Sequence, residues 1–127
     1  MDILDAVYQI LETDPYISEQ IENRIKYYEY PESGAVDKPY MVLEEVQPSQ
    51  PSTFADGTWL TLDIHLHVEI WSPNRTITRL LAERVRDLIW TKFKIGQRGG
   101  LPEYDNGVFR DARRYQGLIY RNDLNLL

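Results

Sequence analysis

His65 and His67 are the only histidines in the chain, and Asp63 and Glu69 flank them at the same two-residue interval. In an extended strand, residues two apart point the same way, about 6.5–7 Å from one another. These four side chains therefore line one face. Two imidazoles and a carboxylate are donors suited to zinc or iron, so one reading is a small metal-dependent enzyme built on the His65/His67 face. H-x-H alone also describes the polar side of any exposed or interface-facing strand. That plainer reading is favoured, with no metal and no cofactor expected; His65, His67, Asp63 and Glu69 stand as the weak metal candidates.

Other catalytic patterns are missing. There is no cysteine, so thiol nucleophiles, disulfides and cysteine-ligated zinc are excluded. Neither G-x-S-x-G nor H-E-x-x-H occurs. Gly96, Gly99 and Gly100 lack the spacing of a phosphate loop and follow a helical pattern instead of opening one. Asn74-Arg75-Thr76 is formally a glycosylation sequon but reads as helix-cap chemistry. No catalytic residue is assigned, and the chain is not expected to be an enzyme.

Binding chemistry is better represented. Arg110, Arg113, Arg114 and Arg121 cluster near the C-terminus with Tyr115 and Tyr120 between them. Nine tyrosines and three tryptophans exceed what a small core needs, and Tyr, Trp and Arg are enriched at interface centres. Tyr30, Trp59, Trp71, Arg110, Arg113 and Arg114 are the interface candidates. The formal charge of −6 hides a division. Residues 1–70 carry 14 acidic and 3 basic groups, a balance of −11; residues 71–127 carry 6 and 11, a balance of +5. So acidic a chain is ill suited to gripping nucleic acid broadly. Its halves can pair within one chain, or head to tail between neighbours, a contact that closes into rings.

The elements that place these residues follow from periodicity. Asp2 caps a helix with an apolar stripe of Ile3, Val7, Ile10 and Leu11. Asp14-Pro15 starts a second, short helix bearing Ile17 and Ile21. Residues 24–30 and 40–46 read as strands, with a loop between them. Residues 47–57, with Pro48, Pro51 and Gly57, read as a mobile loop able to order on docking. Over 58–71, apolar residues alternate strictly with polar or aromatic ones. Such a strand spans roughly 45 Å, while a domain this size has a radius of gyration of about 14 Å. It must bend, or one end must project as part of a hairpin. Ser72 or Asn74 then caps a helix carrying Ile77, Leu80, Leu81, Val85, Leu88, Ile89 and Phe93. A flexible turn is expected over 96–107, then two short strands over 109–115 and 118–126.

The whole is a single α+β domain over residues 1–127: an antiparallel sheet of four to five strands, helices packed on one face, order α-α-β-β-β-α-β-β. At 43% hydrophobic and 27% charged, the composition is that of an ordinary globular chain. No run approaches a membrane span, the acidic opening residues are not expected to act as a signal peptide, and the lack of cysteine suits a reducing compartment.

Three short motifs carry a resemblance. They are Ile21-Glu22-Asn23-Arg24-Ile25 after the short helix, the strand start Pro39-Tyr40-Met41-Val42-Leu43, and the junction Val68-Glu69-Ile70-Trp71-Ser72 leading directly into a helix. Together with the element order, they resemble the tail-completion proteins of long-tailed phages and prophages, also called tail terminators or tail-to-head joining proteins. The resemblance implies a non-enzymatic structural subunit in the virion, at the head–tail junction, assembled in the host cytoplasm. It implies a hexameric ring that caps the tail tube and docks to the head connector or stopper protein. DNA would pass through without specific binding, past acidic groups facing the lumen. The chain departs from the family in that the stretch after Gly100 is short for the closing strands. A head-completion or adaptor subunit of the same connector, and an interaction domain outside phage biology, are the further alternatives.

Overall fold

The computed structural model describes residues 2–32 and 36–126. Helix α1 (Ile3–Glu12) starts where Asp2 accepts hydrogen bonds from the amides of Leu4 and Asp5. Helix α2 (Pro15–Ile21) starts in the same way on Asp14, with proline at its first turn. Strand β1 (Ile25–Tyr27) is short because Tyr28 takes a positive φ of 62°. Two long strands follow, β2 (Tyr40–Ala55) and β3 (Thr58–Ser72), then helix α3 (Arg75–Phe93). Asn74 caps α3 by accepting from the Ile77 amide at 2.9 Å. Strands β4 (Gly96–Asp105) and β5 (Val108–Tyr120) and a 3-10 turn (Arg121–Leu126) complete the chain.

The five strands form one sheet in the order β1-β2-β3-β5-β4. All pairings are antiparallel except β1–β2, which is parallel and so modifies the antiparallel expectation. The fold class is α+β, with the anticipated element order. Helices α1, α2 and α3 pack against one face. Leu62, Ile64, Leu66, Val68 and Ile70 of β3 meet Val7, Leu11, Ile17, Ile21, Leu81, Val85 and Ile89 there in one core. Each such side chain contributes about 1.5–3 kcal/mol by leaving water.

Several expectations are corrected. Residues 47–55 are strand, not loop: β2 runs on to Ala55 and turns through Asp56-Gly57, both at positive φ. The prolines are tolerated for a physical reason. Strand β1 pairs only with Met41 to Leu43, so β2 is an edge strand beyond that point. An edge strand needs no donor on its outer side. Register shifts between Glu45 and Gln47 and between Gln47 and Gln50 absorb the irregularity. Residues 96–105 are likewise strand β4, an edge strand with Pro102 and a register shift between Gln97 and Gly100. The closing hairpin begins before Gly100 and turns at Asn106-Gly107, which supplies the length that seemed short. The two strands expected over 109–115 and 118–126 are one strand, β5, followed by the 3-10 turn.

The overlong β3 projects as part of a hairpin. Its pairing with β5 ends at Thr61–Tyr120, so residues 58–60 and their β2 partners extend past the rest of the sheet. Leu60 shares the parity of the helix-side residues of β3 yet is exposed. Gly117 lets the chain leaving α3 cross β5 closely. A Cβ there would stand 2.9 Å from Ile95 Cα and 3.2 Å from the Lys94 carbonyl oxygen.

Candidate assembly surface on the open sheet face

The odd-numbered residues of β3 face away from the helices. Register sets their neighbours: Glu44 lies opposite His67, Val42 opposite Glu69 and Tyr40 opposite Trp71 on β2; Arg110, Ala112, Arg114 and Gln116 lie opposite Trp71, Glu69, His67 and His65 on β5. Among the described residues no helix packs on this face, yet Val42, Thr61, Glu69 and Ala112 are buried. Longer side chains lie across them.

Glu69 is the centre, at 1% exposure. Its Oε1 accepts from Arg110 Nε and, at 3.2 Å, from Trp71 Nε1. Its Oε2 lies 2.8 Å from His67 Nε2. Burial acts to raise its pKa, but the hydrogen bonds from His67 and Arg110 and the guanidinium charge outweigh it and hold the carboxyl down at about 2. Arg110 also reaches Glu103 at 2.7 Å and lies over the Trp71 ring, 5.5 Å from its centroid. Tyr30, from the segment after β1, donates its hydroxyl to Glu44 Oε1 at 2.5 Å. His65 belongs to a separate pair, 3.1 Å from Asp63.

The four metal candidates therefore do not converge. Among the described residues, one group of potential ligands comes together: Glu44, His67 and Glu69, with ligand atoms within 4.8 Å of one another. The H-x-H motif located His67 and Glu69 but not Glu44, whose contribution depends on the β2–β3 register.

The interface candidates divide between the two faces. Tyr30, Trp59, Trp71, Arg110 and Arg114 lie on the open face or its border. Arg113 is on the helix side, paired with Asp111 at 2.8 Å. Arg110 is committed to Glu69 and Glu103, whereas Arg114 is exposed. At the projecting hairpin, Phe54, Leu118 and Tyr120 are exposed beside Trp59, over which Arg121 lies at 4.9 Å. These apolar groups form a patch at one end of the open face.

The charge division becomes lateral in three dimensions. The acidic half supplies α1, α2, β1 and β2 at one edge, and the basic half supplies α3, β5 and β4 at the other. Among the ion pairs of the described residues, two join the halves: Arg84–Asp14 at 3.1 Å and Arg110–Glu69. A cleft of about 490 Å³ between α3 and β4 includes Arg86 and Arg113, which pair with Asp87 and Asp111 of their own half.

No helix among the described residues is long and apolar enough to cross a membrane. No protein-family model matches the sequence, and no curated protein matches it. Among solved structures, the fold is similar to a chain in the virion of a native gene transfer agent (GTA) particle. The TM-score is 0.65 at 13% identity, covering 91% of this chain and 92% of that one.

Proposed function

We propose that this chain is a structural protein of a phage-type virion, acting as a tail terminator or head–tail joining subunit. Its ring would cap the tail tube and dock to the head connector. The observation that carries the reading is the fold likeness to a virion chain over nearly the full length of both. The surface supports it. Opposite charges on opposite edges favour head-to-tail association of identical copies, which closes into a ring. The projecting hairpin with its apolar patch offers a second contact, toward a neighbour or a docking partner. Acidic groups lining such a ring would repel phosphates and let DNA slide.

Native mass spectrometry of the purified chain, alone and with tail tubes, tests this. A hexamer, or a monomer that becomes one on tubes, is expected, and association should weaken from low to high salt. A stable dimer that ignores tubes refutes the reading. Binding to a connector without any to tubes would move the chain to the adaptor position.

A further inference from the structure

We infer that Glu44, His67 and Glu69 form a binding site for one divalent transition-metal ion of the zinc type. Two ligands come from alternate positions of β3 and the third from the residue paired with His67 on β2. This places three donors on one side of two adjacent strands, with all ligand atoms within 4.8 Å. One nitrogen and two carboxylate oxygens suit Zn²⁺ or Co²⁺, leaving a coordination position open.

The two oxygens of Glu69 have different duties. Oε1 is held by Arg110 and Trp71, which fix the carboxylate's orientation. Among the described residues, Oε2 has His67 as its hydrogen-bond partner, at 2.8 Å. A metal replaces the proton of that bond, with the imidazole in its other tautomer. Tyr30 plays the orienting role toward Glu44.

Calorimetric titration of the purified, metal-free full chain with Zn²⁺ tests the site, with Co²⁺ absorption reporting coordination. One equivalent is expected. His67→Gln and Glu44→Gln, each checked for folding by far-ultraviolet circular dichroism, should weaken binding at least about tenfold, and His65→Ala should leave it unchanged. Absence of uptake by the wild-type chain overturns the inference. So does uptake that survives both His67→Gln and Glu44→Gln, or that His65→Ala abolishes. The titration uses the free chain, so its outcome is independent of ring formation.

Discussion

Replacing Arg110 with methionine isolates what holds the open face together. The substitution keeps an unbranched stem over the sheet but removes the guanidinium from Glu69, which is 1% exposed. Three contacts disappear. The hydrogen bond to a buried carboxylate contributes about 1.5–3 kcal/mol. The Trp71 cation–π contact, at 5.5 Å, adds about 0.5 kcal/mol. The exposed pair with Glu103 adds at most about 1 kcal/mol. Deleting a partner from a fully buried pair costs about 3–5 kcal/mol; because the Arg110 side chain is 32% exposed, water relieves part of this. The expected loss is about 3 kcal/mol, which for a chain of this length lowers the thermal midpoint by roughly 11 °C. Urea denaturation at neutral pH measures it. Adding Glu69→Gln removes the stranded charge and should restore about half. If Arg110→Met unfolds within about 0.5 kcal/mol of wild type, or the double variant is no more stable than the single, the carboxylate does not depend on the guanidinium and the reasoning fails.

Four other outcomes follow from the same structure. Asp14→Ala should cost about 1–2 kcal/mol by removing the cap of α2 and the Arg84 pair, whereas Asp14→Asn keeps the cap and should cost under half as much in the same denaturation assay. Burial acts to raise the pKa of Asp14, but the Ile17 amide and Arg84 prevail and hold it below its ordinary value of 3.8; that contribution is present above 3.8 and lost as pH falls through the lower folded value, which acid titration of the variants checks. Gly117→Ala should destabilise by about 1–3 kcal/mol through collision with Ile95, while Gly107→Ala, with open space but a φ of +81°, should cost about 1 kcal/mol; a Gly117→Ala midpoint equal to that of the wild type would contradict the steric argument. Phe54→Ser combined with Tyr120→Ser removes side chains that are 71% and 62% exposed, so stability should stay within about 0.5 kcal/mol while self-association measured by sedimentation weakens.

The strict alternation of β3 and the caps at Asp2, Asp14 and Asn74 were legible because each is a local signal. The edge strands were obscured by their own irregularity. Pro48, Pro51 and Pro102 read as loop, and only the sheet order reveals that their outer sides face no partner. Asp56-Gly57 and Asn106-Gly107 are hairpin signals present in the sequence; giving them more weight than the prolines would have recovered both hairpins. The candidate site was half visible. His67 and Glu69 share a motif, but Arg110 is 41 residues from Glu69 in sequence. Glu44 joins them through a register that no spacing encodes. The −11/+5 division was plain in the sequence, whereas its lateral arrangement depends on the sheet order.

The sheet's central seam has a kinetic consequence. The β2–β3 and β4–β5 hairpins are each closed by a two-residue turn and can form in roughly 1–10 μs. The seam between them joins Thr61 to Tyr120 and Ser72 to Phe109, so it must wait until α3 and the second hairpin have been brought back. Such distant pairings slow folding. Until the seam closes, β3 and β5 each present a long unpaired edge, so the newly made chain is most prone to aggregate before it is ready to assemble. In stopped-flow refolding, substitutions along the seam should slow the main phase, while changes at α2 should chiefly speed unfolding.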